Sequence, residues 1–484
     1  ISGLNNRMKN RFLCVALAFL ASIPVTAQPK TGHQLAVTVN AYEQQWLYLG
    51  YHFGKIKALA DSVRVQQGVA VFKGAQPLPG GIYFVVSPRK EILFELLLDK
   101  QQHFSMKLDS AHPEAVVFTG SPDNEGFQAY TRFVQQKGTA IQQAQKGLSG
   151  AGADTAALQK IIRENNKAIQ AYRADVVKKQ PGSLLSALFA ALSEPTVPPA
   201  SAQPGGKYDS SYAYHYYKNH YWDGISLADE RLLRTPFFET RIDKYFKELV
   251  SPAPDSISRE VDVFLTKAKP SKESYRWLLT HFVQAYINPT YMGQDAVFVH
   301  LFEKYINGHP EVDWFTEKYQ KYMSDRAYSL MANLIGNPAW ELTMTDTSGK
   351  TVRLYDIQAP YTVICFWDPT CSHCKEMVPH LDSMFQNKWK AMGIKLLGVM
   401  TDGGKDNWLA YIRDHKLVGW NHVYQSEAQH EEERNSGKAG YRQLYDVYQT
   451  PVLYLLDSEK RIVAKKLTYQ QIDELITLKQ SKAK

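Results

Sequence analysis

Cysteine is scarce in this sequence, and several patterns that would indicate a particular function are absent. Four of the 484 residues are cysteines, too few for the dense disulfide framework of small exported domains. No second C-x-x-C accompanies the one that is present, which argues against a zinc site built from two such pairs. Lysine and arginine form no run or stripe, so the formal net charge of +8 does not indicate nucleic-acid binding.

Long apolar runs are also scarce, and the one near the start is short. Residues 8–27, MKNRFLCVALAFLASIPVTA, have a basic start, an apolar stretch and a Val-Thr-Ala end. This order is typical of a secretory signal peptide, and it predicts cleavage between Ala27 and Gln28 and export to the periplasm. The stretch is shorter than the ~20 residues of a spanning helix, which favours cleavage over a membrane anchor and leaves peripheral membrane association open. Cys14 lies too far before the small-residue end for lipoprotein-type cleavage.

The length and the pattern of the remaining chain predict a multi-domain protein. Residues 28–120 show short alternating runs with turn signals, which predict a β-sandwich or small barrel of about seven or eight strands. Residues 121–334 show helical periods, which predict an α-helical middle region. Within it, the polar and proline-rich segment 194–211 reads as a loop or a disordered insert. Residues 335–484 alternate strands and helices, which predicts a mixed α/β sheet flanked by helices.

One segment of the middle region, YAYHYYKNHYW at 212–222, is dense in aromatic residues and contains His215 and His220. A metal or ligand site and an aromatic surface that packs against a neighbouring domain are the two interpretations. Histidines five residues apart do not share a helix face, so packing is the favoured interpretation.

The most informative stretch is YTVICFWDPTCSHCK, from Tyr361 to Lys375. An apolar segment rich in β-branched and aromatic residues runs into an Asp-Pro-Thr break, and an amphipathic run follows the two cysteines. This order predicts a buried strand, a tight loop and a helix, with Cys371 and Cys374 on the first helical turn. Free amide N–H groups and the positive end of the helix dipole collect there, and both stabilise a thiolate.

These features predict a dithiol/disulfide couple without a metal or organic cofactor. Cys371 would attack a partner disulfide and the more buried Cys374 would resolve the mixed disulfide. His373 adds partial positive charge that favours the thiolate, and so the reduced form. A zinc site is not favoured, because the two cysteines supply only part of the four ligands that zinc needs. Covalent haem attachment requires a histidine at the position of Lys375. The peroxiredoxin motif P-x-x-x-T-x-x-C is not matched, because Asp368 stands at the position of its threonine.

A proline before a late strand is the second chemical signal. Thr450-Pro451 precedes the apolar segment Val452 to Leu456, a place where proline signals a strand start, a turn or a cis bond. In this order after a C-x-x-C, the cis bond is the favoured interpretation.

Together these motifs resemble the thioredoxin fold of the TlpA/ResA-like envelope thiol–disulfide oxidoreductases. FWDPTCSHC corresponds to the family's FWA-x-WC-x-x-C, and YLLDSEKRIVAK corresponds to the strand–turn–strand that follows the proline. The resemblance implies a thioredoxin-like domain at residues 335–484 with two catalytic cysteines and a cis-proline loop that binds substrate backbone. The residues that it assigns are catalytic Cys371 and Cys374, substrate-binding Thr450 and Pro451, and the motif modulators Ser372, His373 and Trp367.

Some positions depart from the family pattern. Cys365 stands where thioredoxin has a buried aspartate that helps move the resolving thiol's proton. We interpret Cys365 as a small inert hydrophobe rather than a third redox thiol, which leaves the proton acceptor for Cys374 unassigned, since Glu376 is expected to face solvent. Thr370 replaces the usual tryptophan, and Ser372-His373 replaces Gly-Pro, a change that resembles oxidase-type motifs.

The sequence thus predicts an exported oxidoreductase that exchanges disulfides with thiols of envelope proteins and with an unidentified electron donor or acceptor protein. The alternative is an envelope binding or scaffold protein in which the first two regions capture a partner and the redox pair is secondary. The direction of electron flow stays open.

Overall fold

The computed structural model describes residues 31–39, 41–109, 112–149 and 154–483. The predicted signal peptide and Cys14 lie outside these residues. Within the described ranges, three regions follow one another along the chain: a pair of β-sheets, a helical middle region and an α/β domain. None of the helices in these ranges combines the length and the apolar character needed to cross a membrane.

The first region is a sandwich of two four-stranded sheets, which confirms the sandwich and not the barrel. One sheet has the order β4-β1-β7-β8 and the other β3-β2-β5-β6. Alternate residues of β1, such as Leu35 and Val37, are buried, and they join one core with Leu47 and Leu49 of the facing sheet. The strands are β1 (His33–Val39), β2 (Trp46–Phe53), β3 (Ile56–Arg64), β4 (Val69–Gly74), β5 (Gly81–Val86), β6 (Ile92–Leu98), β7 (His103–Asp109) and β8 (His112–Thr119).

The middle region is helical, as predicted. Its helices bury apolar stripes in one core that also takes in Ile82 and Leu97 of the sandwich. They are α1 (Pro122–Gly147), α2 (Thr155–Lys179), α3 (Leu184–Leu192), α4 (Ser210–His220), α5 (Phe238–Glu248), α6 (Pro254–Ala268), α7 (Lys272–Tyr286), α8 (Asp295–Leu301) and α9 (Glu317–Met331).

The segment between α3 and α4 is an ordered loop, which confirms the loop and not the disordered insert among the two interpretations of residues 194–211. Two short 3₁₀ turns form within it, and Gln203 is only 5% exposed. The Gln203 side chain donates to the Pro198 carbonyl at 2.8 Å and accepts from the Asp209 amide at 2.8 Å. These bonds satisfy a buried amide and fix the loop, and the composition of the segment does not indicate them.

The aromatic segment is a packing surface, as predicted, but it packs within the helical region rather than against a neighbouring domain. Tyr221 and Trp222, just after α4, lie in the helical core, where both rings contact Tyr245. The Arg241 guanidinium lies 4.2 Å from the Tyr221 ring centre. His220, by contrast, points away from this core, and its Nδ1 atom lies 2.6 Å from an Asp223 carboxylate oxygen.

The α/β domain is a seven-stranded mixed sheet with the order β10-β9-β13-β12-β11-β14-β15. β11 pairs in parallel with β12 and antiparallel with β14, so it lies in the interior of the sheet, and its residues are buried on both faces. The sequence predicts a first strand from Trp340, but this residue is 52% exposed and the strand begins three residues later. The elements are β9 (Thr343–Asp346), β10 (Thr351–Arg353), β11 (Tyr361–Trp367), α10 (Ser372–Met384), β12 (Lys395–Met400), α11 (Lys405–Asp414), β13 (Asn421–Tyr424), α12 (Glu427–Ser436), α13 (Tyr441–Leu444), β14 (Val452–Asp457), β15 (Ile462–Lys465) and α14 (Tyr469–Ala483).

Buried polar contacts join the helical region to this domain. Lys465, at the end of β15, forms an ion pair with Asp295 of α8 and donates to the Asn333 carbonyl at 2.8 Å. From α9, the Ser329 hydroxyl donates to the Gln443 carbonyl at 2.6 Å. All these side chains except that of Gln443 are nearly inaccessible to solvent, so they hold the two regions in a fixed relative position.

Candidate active site

The two motif cysteines lie where β11 gives way to α10. The intervening loop is shaped by Asp368, whose carboxylate accepts hydrogen bonds from the Thr370 amide at 2.6 Å and its hydroxyl at 2.7 Å. Gly403, which has a φ of +92°, packs against this loop, and a Cβ atom at position 403 would lie 2.4 Å from the Asp368 carboxylate. A side chain at position 403 would therefore displace the loop that presents Cys371.

Cys371 is the N-cap residue of α10 and is partly exposed. Burial opposes its ionisation, but hydrogen bonds outweigh that effect and lower the pKa of the Cys371 thiol below its ordinary value. The groups that would stabilise the Cys371 thiolate in this way are the Cys374 amide, the Thr450 side chain, the Cys374 thiol and the His373 amide. Cys371 is therefore the thiol that ionises more readily, as its place at the helix start predicts.

Cys374 has the opposite character, although it lies only one helical turn away. It is fully buried, and burial raises the pKa of its thiol to about 12. Its sulfur accepts a hydrogen bond from the Asp368 amide at 3.4 Å. The two thiols thus differ in both exposure and acidity, and no disulfide links the three cysteines in the described part of the chain.

The Thr450–Pro451 peptide bond is cis, as predicted. Because β14 pairs with β11, the residues just before β14 come to the end of β11 where the cysteines lie. The Cys371 thiol lies within hydrogen-bond distance of the Thr450 carbonyl, with an Sγ–O distance of 3.5 Å. The structure therefore brings together two pairs of residues, Cys371 with Cys374 and Thr450 with Pro451, although Cys371 and Thr450 are 79 positions apart in the sequence.

The motif residues assigned as modulators occupy different surroundings. Ser372 and His373 are exposed on the first turn of α10, and it is the backbone amide of His373 that contributes to the lowered pKa of Cys371. Trp367 is fully buried beside the Tyr411 ring, at a centroid distance of 5.3 Å. Its indole N–H has no hydrogen-bond partner among the described residues.

Cys365 lies on the same face of β11 as Trp367, since side chains alternate along a strand. It is completely buried in the core that also contains Cys374. Burial, and secondarily the charge that Cys374 would carry, raises the pKa of Cys365 well above its ordinary value. Cys365 is thus held as a neutral thiol in apolar surroundings. Glu376 is exposed, as expected, and lies on the solvent side of α10.

A cleft of about 790 Å³ opens beside the cis-proline, and the sequence analysis did not identify it. Its walls come from the helical region and the α/β domain together. The lining includes Asn288 and Tyr322 from the helical region, Met377 from α10, Tyr448 and Pro451 from the loop before β14, and Leu467 and Tyr469 after β15.

Comparisons with known protein families match two parts of the chain. Residues 335–466 match the AhpC/TSA family. Residues 163–330 match a family described as a domain of unknown function, DUF5106. The first match covers the mixed sheet with the two cysteines, and the second covers most of the helical region.

Individual proteins of known sequence or structure are similar to parts of the chain. The chain is 26% identical to the thiol-disulfide oxidoreductase ResA of Bacillus anthracis over 68 residues. These residues make up 14% of this chain and 39% of that protein. The matched part of this chain thus spans well under half the length of the curated relatives. A solved domain of a possible thiol-disulfide isomerase from Cytophaga hutchinsonii is 35% identical, with 31% of this chain and 95% of that one covered and a TM-score of 0.28. A thioredoxin-like protein from Bacteroides caccae is 20% identical, with 59% and 98% covered and a TM-score of 0.45.

Proposed function

Because residues 335–466 form a thioredoxin-like domain of the AhpC/TSA family, we propose that the protein is a thiol–disulfide oxidoreductase whose redox couple is Cys371 and Cys374. The observation that carries this proposal is the asymmetry of the two thiols. One lies partly exposed at a helix start with a lowered pKa, and the other is buried with a raised pKa. An attacking thiol and a resolving thiol require these two environments.

In the reducing direction, the Cys371 thiolate attacks one sulfur of a substrate disulfide. The substrate S–S bond breaks, a mixed disulfide forms and the second substrate sulfur leaves as a thiolate. Cys374 then loses its proton and attacks Cys371, which forms the Cys371–Cys374 disulfide and releases the first substrate sulfur. Two electrons pass to the substrate, and the same steps in reverse oxidise a dithiol.

The cis-proline loop supports the first of these steps. We propose that Thr450 and Pro451 bind the backbone of the substrate beside Cys371, as the family resemblance implies. The 3.5 Å contact between the Thr450 carbonyl and the Cys371 sulfur places that loop next to the reacting atom. A substrate chain held there would keep its own sulfur close to the thiolate.

The proposed substrates are disulfides and thiols of other envelope proteins, and a second protein must supply or accept the electrons. Neither of these partners is needed for the chemistry at Cys371, so the activity can be measured with a model disulfide such as that of insulin. The parent protein with dithiothreitol as reductant is expected to reduce insulin faster than dithiothreitol alone. An equal rate with and without the protein would refute the activity.

We predict that His373 affects the acidity of Cys371 chiefly through its backbone amide. His373→Pro removes that amide N–H and the ring but fits an early helical position. It should raise the Cys371 pKa and shift the reduction potential to more negative values by tens of millivolts, where ~30 mV corresponds to ~1.4 kcal/mol. Thiolate absorbance against pH and equilibration with glutathione measure the two quantities.

The matched control is His373→Ala, which removes the ring and keeps the amide. It should move the pKa and the potential in the same direction by a smaller amount. Equal shifts in the two variants would assign the effect to the imidazole ring. An unchanged potential in His373→Pro would mean that this position does not set the acidity of Cys371.

We also propose that the chain is exported and that its signal peptide is removed after Ala27. The proposal rests on the basic, apolar and small-residue order of residues 8–27. When the full sequence is expressed in a Gram-negative host, the mature protein should begin at Gln28 and fractionate with the periplasm. N-terminal sequencing tests this directly, and a mature N-terminus at Met8 would contradict it.

A further inference from the structure

We propose that the helical middle region forms one wall of the substrate site, and that the cleft beside Pro451 holds an extended polypeptide that carries the substrate disulfide. An aromatic or aliphatic side chain of that polypeptide would pack against Tyr322. The inference rests on the proposed function, and it assigns the helical region a role in selecting substrates.

The cleft is continuous with the dithiol. Pro451, which lines it, directly follows Thr450, and Thr450 contacts the Cys371 sulfur. Met377, which also lines it, lies one helical turn after Cys374 on α10. When a substrate is joined to Cys371 as a mixed disulfide, the residues that flank the substrate cysteine therefore lie beside the cleft.

The approach to the reacting sulfur restricts where that chain can run. Cys374 is fully buried, so a substrate sulfur can reach only Cys371. An extended chain advances ~3.3 Å per residue, so the few residues that flank the substrate cysteine can lie along the cleft. A volume of about 790 Å³ lies within the range of sites that enclose a ligand of several hundred daltons.

The lining of the cleft presents two exposed tyrosine rings to a ligand. Tyr322 of α9 is 43% exposed and Tyr448 of the cis-proline loop is 72% exposed. The Asn288 side-chain amide donates to the Tyr322 hydroxyl at 3.0 Å, which holds the ring in the wall. Tyrosines of this kind offer a large apolar contact at a small cost in side-chain entropy, which suits peptide recognition.

The charged lining groups are already paired. Asp446 is almost completely buried and binds both Arg326 of α9 and Lys466. The exposed Asp325 carboxylate lies 2.9 Å from the Lys321 ammonium group. The cleft therefore offers little to a charged ligand, which favours an apolar polypeptide segment over a small charged disulfide such as that of glutathione.

The two walls are fixed relative to one another. The ion pair between Arg326 and Asp446 joins α9 to the cis-proline loop, since Asp446 precedes Pro451 by five residues. The contact of the Ser329 hydroxyl with the Gln443 carbonyl at 2.6 Å lies one turn further along α9. A site whose walls are held in place before binding loses little free energy in becoming ordered.

The test compares two disulfides on the full-length protein. One substrate is a peptide in which a tryptophan flanks each cysteine of the disulfide, and the other is oxidised glutathione. Tyr322→Ala should lower kcat/KM for the peptide about tenfold more than for glutathione, as loss of a central aromatic contact does. Asn288→Ala, which releases the Tyr322 hydroxyl, should act in the same direction with a smaller effect.

Tyr328→Ala is the matched control. Tyr328 lies on the same helix, is 55% exposed and contacts Phe302 rather than the cleft. This variant should leave both kcat/KM values unchanged. Equal melting temperatures for parent and variants would show that the Tyr322 effect does not come from unfolding.

The outcomes distinguish a failure of the cleft assignment from a failure of the proposed redox activity. The proposal that the helical region selects substrates would be overturned by any of three results for Tyr322→Ala. These are equal effects on both substrates, no effect on either substrate, and a larger effect on glutathione. If Cys371→Ser reduces glutathione as fast as the parent, the proposed function itself fails and the cleft assignment falls with it.

Discussion

Replacing Cys371 with serine is expected to reduce the rate of insulin disulfide reduction to below about one thousandth of the parent rate, the scale of loss seen when a nucleophile is removed. A serine hydroxyl at the same helix start does not ionise at neutral pH, so the first bond to substrate sulfur cannot form. The turbidity of reduced insulin chains measures the rate. Cys365→Ala is the matched control, since it removes a fully buried thiol and should keep the activity of whatever protein remains folded.

Cys374→Ser should behave differently. Cys371 still attacks, but no second thiol resolves the product, so mixed disulfides accumulate. Non-reducing electrophoresis with mass spectrometry should identify partners bound to Cys371. Trapping by the Cys371→Ser variant and not by Cys374→Ser would reverse the two roles. The raised pKa of Cys374, about 12, makes that reversal the less expected result.

Lys465→Ala is expected to cost about 3–5 kcal/mol of stability, the range for breaking a buried ion pair. The side chains of Lys465 and Asp295 are only 4% and 7% exposed. Removing the ammonium group leaves the Asp295 carboxylate charged and buried, and one of its oxygens already has no partner among the described residues. The Asn333 carbonyl loses its donor as well. Urea denaturation followed by tryptophan fluorescence measures the loss.

The double variant Lys465→Met with Asp295→Leu is the control. It replaces the pair with apolar groups, which often restores stability, so most of the loss should be recovered. A cost below about 1 kcal/mol for Lys465→Ala, the size of an exposed pair, would contradict the role of this contact in joining the two regions.

The pH dependence of stability provides a second readout of the same pair. Burial lowers the pKa of Lys465 below its ordinary value, although Asp295 opposes the shift. Between that lowered pKa and the unfolded value of ~10.4, the unfolded chain binds more protons, so stability should rise with pH across this interval. The double variant should lack this rise.

Local sequence patterns predicted much of the α/β domain and its chemistry. The apolar run from Val363 to Trp367 requires a strand buried on both sides, and the polar break with helical spacing after it fixes the loop and α10. These signals are local, so they suffice to place Cys371 at a helix start. The position of Pro451 before a strand was informative for the same reason, and its cis bond is confirmed.

The cleft and the contacts between regions were not predictable in this way. Lys465 and Asp295 are 170 residues apart, and Arg326 and Asp446 are 120 apart. A lysine at the end of a strand resembles a solvent-exposed residue, and nothing in its neighbourhood indicates a buried partner. In the sequence, Tyr322 is likewise one more residue of a helical period. Its place in the wall of the cleft results from the way in which the two regions pack, which the sequence pattern does not indicate.

The loop between α3 and α4 shows the same limit on a smaller scale. Its proline-rich and polar composition is typical of disorder, yet the amide of Gln203 satisfies groups on both sides of the loop. Composition describes the cost of ordering a chain but not the specific bonds that offset it.

The measurement that tests the central claim most directly is the redox equilibrium of the parent protein with glutathione, with the bonded cysteines identified by mass spectrometry. We expect one two-electron transition that forms a disulfide between Cys371 and Cys374, at a potential less negative than the ~−270 mV of thioredoxin. A disulfide that includes Cys365, or the absence of any intramolecular disulfide across the range of glutathione ratios, would contradict the assignment of Cys371 and Cys374 as the redox couple.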